Sequence, residues 1–131
     1  MGTRSTTQIM DTNGTDVLVN MYRQFDGYLE GHGKELAEFL VQFSMVNGLG
    51  GHNPEGRIAN GMQCLAAQLI SEFKVEAGGI YLVPAGQLEE YNYFVTLTDD
   101  GLNIKVTDYD DDTVFNGSPA DLLAIQTQEV E

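Results

Sequence analysis

Between Arg57 and Glu76 apolar side chains recur at Ile58, Met62, Leu65, Ala66, Leu69, Ile70 and Phe73, at offsets 0, 4, 7, 8, 11, 12 and 15. That spacing draws one unbroken stripe along an α-helix, which must be buried against other elements. Gly61 inside the run costs about 1 kcal/mol relative to alanine in a helix interior, so it implies close packing there. Gly78-Gly79 reads as the stop. A second stripe, Leu36, Phe39, Leu40 and Phe43, predicts a helix from Lys34 to Met45.

The flanking sequence supplies strands for these helices to cover. Ser5–Met10 and Val17–Arg23 surround Asn13-Gly14, a hairpin signal. Alternation puts Val17, Val19, Met21 and Arg23 on one face of the return strand, and Leu18, Asn20 and Tyr22 on the other. Ile80–Val83 reads as a strand ended by Pro84. Tyr91–Thr98 turns through Asp100-Gly101 into Leu102–Val106, and Thr113–Phe115 follows. Ser118, Pro119 and Asp121 mark a helix start, with Leu122, Leu123 and Ile125 to dock it. The expectation is a single α+β domain over residues 1–131, with a mostly antiparallel sheet in the order ββααβββα and two main helices on one face. An N-terminal hairpin and two helices (1–78) precede an acidic β-meander with a short helix (79–126) and a frayed tail (127–131).

At 131 residues the chain can bury a core without disulfides or metals. Its one cysteine, Cys64, cannot form an internal disulfide, so a reducing, cytoplasmic setting is expected. No run approaches the roughly 20 apolar residues of a membrane span, and the N-terminal MGTRSTTQIM lacks the apolar centre of a secretory signal. Its fit to a myristoylation pattern through Gly2 and Thr6 reads as chance, as do the glycosylation triplets at Asn13 and Asn116.

Charge is distributed unevenly. The net charge is −14, with nine acids and five bases over residues 1–84 but eleven acids and one base, Lys105, over 85–131. Such a field repels nucleic acid and anionic membranes and attracts basic protein surfaces.

Motifs for catalysis are missing. There is no Gly-x-Ser-x-Gly elbow, no His-Glu-x-x-His and no phosphate-binding Walker loop, and no cofactor is implied. Cys64 sits just off the helix stripe, where a boundary residue is expected rather than a nucleophile. The glycine-rich stretch 48–56 leads into a helix and admits a phosphate reading, but matches no nucleotide fingerprint and reads as a flexible connection. Asp108-x-Asp110-x-Asp112 opens like a calcium loop, yet Thr113 stands where glycine is needed and Pro119 where glutamate is. His32 and His52 have no partners at zinc-ligand spacing.

Two surfaces remain as binding candidates. The polar stretch Tyr22–Lys34 gathers Tyr22, Arg23, Gln24, Asp26, Tyr28, His32 and Lys34, with Phe25 and Tyr28 as stacking surfaces. Arginine grips phosphate in two-pronged fashion and aromatic rings stack on bases. Equally, Asp26 and Glu30 could pair with Arg23 and Lys34 while the glycines shape a strand-to-helix turn. The second candidate is the acidic set Glu89, Glu90, Asp99, Asp100, Asp108, Asp110, Asp111 and Asp112 at strand ends, which could imitate a nucleic-acid backbone or serve only solubility.

Two stretches carry a resemblance. MGTRSTTQI with LVNMYRQFDGYLEGHGKELAEFL, and NGMQCLAAQLISEFK leading into GGIYLVPAG, resemble a family of small uncharacterised proteins of bacteriophages and prophages over roughly residues 1–85. The specific string is Tyr22–Tyr28 with Gly31-His32-Gly33; Leu29 departs from it, where proline is expected. The resemblance implies a non-enzymatic accessory protein in the host bacterial cytoplasm that counters host defence. On that reading a nucleotide-like immune signal is captured by Arg23, Tyr28, His32 and Lys34, with a homo-oligomer interface as one place for it. The alternatives are an acidic inhibitor that blocks the basic groove of a defence complex, and a structural or assembly protein of the virion.

Overall fold

The computed structural model describes residues 2–47 and 56–129. The N-terminal hairpin forms as expected from β1 (Ser5–Met10) and β2 (Val17–Arg23), with Thr7 opposite Met21 and Ile9 opposite Val19. Its connection is a longer loop than a tight turn, closed by the Asp11 amide on the Asp16 carbonyl at 2.8 Å. Gly14 takes φ 73° there, and the Thr15 amide donates to the Asp11 carboxylate, lowering its pKa.

Between the hairpin and the long helix the structure departs from the expectation. After one wide turn over Leu29–Gly33, α1 (Lys34–Leu40) ends well before Met45, and β3 (Phe43–Val46) pairs in parallel with β4 (Arg57–Asn60). Phe-Ser-Met-Val has good strand propensity, and tertiary pairing overrides the helical spacing. The spacing misleads for a definite reason. Phe39 and Phe43 do meet, at 4.9 Å between ring centroids, but edge-on across the helix end, and the Arg57 guanidinium lies 5.0 Å from both rings.

Helix α2 (Gly61–Phe73) is accordingly shorter than its stripe. Gly61 has φ +83° with open space where a Cβ would stand, so it serves the backbone turn into the helix and not close packing. Gly78-Gly79 is not the stop either. The chain leaves the helix at Lys74, whose ammonium donates to the carbonyls of Gly78 (3.2 Å) and Ile80 (2.7 Å). The two glycines, at φ 78° and 77°, then turn it into β5 (Ile80–Val83).

β6 (Tyr91–Thr98), β7 (Gly101–Asp108) and β8 (Thr113–Gly117) form the C-terminal meander, followed by α3 (Pro119–Glu129). The described elements therefore run ββαββαββββα rather than ββααβββα. The main sheet has the order β5-β2-β1-β6-β7-β8 and is antiparallel except at β1–β6. The α+β class with a mostly antiparallel sheet is as expected. No helix of the described residues is long and apolar enough to cross a membrane.

α3 continues to Glu129, and the Gln126 side chain donates to the Leu29 carbonyl at 2.8 Å, which pins the helix to the wide turn. Its start is a reciprocal cap: the Asp121 amide donates to Ser118 Oγ at 3.1 Å and the Ser118 amide to Asp121 Oδ2 at 3.2 Å. Ser118→Ala is expected to cost about 1 kcal/mol, read as a lowered urea midpoint at unchanged slope.

One core joins both halves of the chain. Ile9, Met21, Tyr93, Val95, Ile104 and Val106 of the sheet meet Leu36, Leu40, Met62, Leu65, Leu69 and Leu122 of the helices, all essentially inaccessible. The other sheet face is covered near β1 by the connection 84–90. There the Gly86 amide donates to Gln8, and Asn20 donates to the carbonyls of Pro84 and Gln87.

Candidate functional site

Arg23 ends β2 on the core face, and α1 begins two residues after His32, so one turn of chain brings His32 and Glu35 to the same guanidinium. Arg23 Nη1 and Nη2 donate to the two Glu35 carboxylate oxygens at 3.1 and 3.2 Å, and Nη1 also reaches His32 Nδ1 at 3.1 Å. A guanidinium only donates, so Nδ1 accepts and carries no proton. The proton then sits on Nε2, which donates to Thr7 Oγ1 at 2.6 Å. The ring is fully buried, edge-on to Tyr93 (4.9 Å) and Phe73 (5.5 Å). Burial, reinforced by the Arg23 charge, pushes its pKa down to about 3. His32 is thus a neutral core residue.

The rest of the loop is held by its backbone. Asp26 takes φ 63°, its carbonyl accepts the His32 amide at 2.7 Å, and Gly27 donates to Thr3 at 2.8 Å. The Gly27 carbonyl accepts the buried Tyr93 hydroxyl at 2.7 Å, and desolvation pushes that phenol's pKa well up. Tyr28 OH donates to Asp26 Oδ1 at 3.2 Å, which raises the pKa of this exposed phenol.

The expected ligand set does not converge. Tyr22 lies on the opposite sheet face from Arg23, donates to Gln24 Oε1 at 2.6 Å and stacks at a tilt on Tyr81. Lys34 is exposed and makes no ion pair among the described residues, and Arg23 pairs with Glu35 rather than with Asp26 or Glu30. Of the expected residues, Arg23, Asp26 and the stacking ring Phe25 line the neighbouring cleft.

That cleft, of about 570 Å³, lies between the end of α1, the end of α2 and the turn into β5. Its walls are the rings of Phe25, Phe39 and Phe73, with Val75 and Ile80; Asp26, Glu35, Glu38, Glu72 and Glu76 bring carboxylates to it. Sequence reasoning marked Arg23, Phe25 and Asp26 but missed the others, because residues from four separate segments assemble it. No family model, curated protein or solved structure matches this chain.

The acidic set divides in two. Ile80, Arg23, Ser5, Tyr91 and Asp108 are successive partners across five strands, so Glu89, Glu90 and the turn 108–112 crowd one end of the sheet. Asp99 and Asp100 occupy the other end, at the β6–β7 turn. The nearest base at the crowded end is Arg4, 4.0 Å from Glu89, its amide donating to Glu90. In the turn, Asp108 Oδ1 accepts the amides of Asp110 (2.9 Å) and Asp112 (3.0 Å), and Asp111 takes φ 65°. Asp108, Asp110 and Asp112 bring carboxylate oxygens within 4.8 Å of one another, but Asp108 is committed to shaping the turn. The glycine-rich stretch, His52 included, lies outside the described residues except for Gly56.

Proposed function

We propose that the chain is a non-catalytic binding protein that docks a basic surface of a partner protein on its acidic sheet end, as an inhibitor or adaptor of the phage-accessory kind that the sequence resembles. The supporting observation is the gathering of Glu89, Glu90, Asp108, Asp110, Asp111 and Asp112 at one end of the sheet, with Arg4 as the accompanying base. Capture of a nucleotide by the Tyr22–Lys34 stretch is less favoured on electrostatic grounds. Arg23 is already held by Glu35 and His32, His32 is buried and neutral, and a phosphate there would face the cleft carboxylates.

The test is retention of bacterial lysate proteins on the immobilised chain at about 0.05 M and about 0.5 M salt, where screening differs strongly. The comparator is Asp110→Asn with Asp111→Asn and Asp112→Asn, changes that spare the turn-shaping Asp108. A basic partner lost at high salt and held on the order of tenfold more weakly by the triple variant supports the reading. Retention indifferent to both overturns it. A bound mass of several hundred daltons in native mass spectra, released on denaturation, would restore the nucleotide reading.

A further inference from the structure

The cleft lies against β2 and the start of β5, three or more strands from the acidic β7–β8 turn, and its chemistry is different. Its concavity and aromatic walls distinguish it from a plain patch of carboxylates. Phe25, which lines it, is 54% exposed, so much of its side chain is open to a partner. Clefts of this size with apolar walls and a few polar groups are where organic molecules bind. Of the five cleft carboxylates, Glu35 pairs with Arg23 and Glu72 with Arg57 at 3.1 Å, whereas Asp26, Glu38 and Glu76 form no ion pair among the described residues.

The molecule supplies its own example of what such surroundings hold. Arg57 lies over Phe39 at 5.0 Å while donating to Glu72 and Gln68, one cation held by a ring face and a carboxylate together. The open part of the cleft brings the same kinds of group together, Phe25 and Phe73 as rings with Glu38 and Glu76 as carboxylates, and neither of these glutamates forms an ion pair among the described residues.

We infer that this cleft binds an organic cation, a guanidinium or alkylammonium group on an apolar stem, with Phe25 stacking on the stem and Glu38 and Glu76 neutralising the charge. Ring faces attract such cations and carboxylates fix them, and both effects grow as the group leaves water. The cation arrives either free, as a polyamine, or as an arginine side chain on a polypeptide. A phosphate-bearing ligand is disfavoured by the same charges. The site is separate from the docking end proposed above, and either can fail without the other.

Calorimetric titration of the full chain at about 0.15 M salt separates the sources: spermidine in one arm, a capped arginine-containing pentapeptide in the other, and ATP as the anionic control. Saturable binding of spermidine, the peptide or both, with none of ATP, is expected. Glu38→Gln with Glu76→Gln should weaken that binding about tenfold, and Phe25→Ala about fivefold. The triple asparagine variant at 110–112, whose side chains are remote from these walls, should change it less than about twofold. The inference is overturned if neither cation binds, if ATP binds as well as they do, or if the cleft variants leave affinity intact while the triple variant removes it.

Discussion

Between pH 6.5 and about pH 3 the protein is expected to lose on the order of 5 kcal/mol of stability through His32 alone. In the unfolded chain this imidazole takes a proton near pH 6.5, whereas in the fold it resists one until about pH 3. Across that window the unfolded state binds more protons, so stability falls as pH falls and is fully present above 6.5. A proton on Nδ1 would face the Arg23 guanidinium at 3.1 Å inside the core, and the cost is too large for the fold to absorb locally. An opposing trend exists: the net charge of −14 is relieved as the exposed carboxylates protonate, which favours the compact state. The difference between wild type and His32→Gln removes this shared background. Glutamine retains an acceptor for Arg23 and a donor for Thr7 but cannot titrate. The variant should be about 2 kcal/mol less stable at pH 7 for lost ring packing and imperfect hydrogen bonds, and the two stability curves should cross at about pH 5, with wild type the less stable below it. Parallel curves, or a His32 ring proton titrating near pH 6.5 in NMR spectra, would sink this account.

The same residue shows how far the sequence could be read. Hydrophobic period located the hairpin, the long helix and the meander, and the capping pattern located α3, because each depends on neighbours a few residues apart. The failures lie where partners are distant in sequence. β3 reads as helix because Phe39 and Phe43 have helical spacing and β4 because Ile58 extends the stripe of α2, yet what ends α1 is pairing with Arg57–Asn60. Arg23 and His32 were grouped correctly as neighbours, but polarity alone suggested a phosphate grip. Nothing local revealed that Thr7, Tyr93 and Phe73 close over the imidazole, or that Glu35 sits one helical turn away. The cleft was illegible for the same reason, being assembled from the ends of α1, α2, β2 and the approach to β5.

Gly31→Ala is expected to destabilise the protein by about 3 kcal/mol, at the upper end for overpacking, whereas Gly14→Ala should cost about 1 kcal/mol for its left-handed backbone. A glycine at φ 73° with open space around it, such as Gly14, loses only conformational ease when a methyl is added. Gly31 is the opposite case: its backbone suits any residue, but a Cβ would overlap the Asp26 carbonyl oxygen and press on Asp26 Cβ at 3.1 Å. That carbonyl cannot yield cheaply. It accepts the His32 amide at 2.7 Å, and Asp26 is itself held at φ 63°. Displacing it drags Gly27, which has atoms of Thr3 and Arg4 at 2.9 Å from its own Cβ position and accepts the buried Tyr93 hydroxyl. The loop therefore either opens as a unit or not at all, and opening admits water to His32. Two readouts should move together in Gly31→Ala: a lower urea midpoint, and a weaker acid dependence because a wetted imidazole regains an ordinary pKa. Equal costs for the two alanine variants would show that the turn yields locally, and that Gly31 is not what holds the loop over the core.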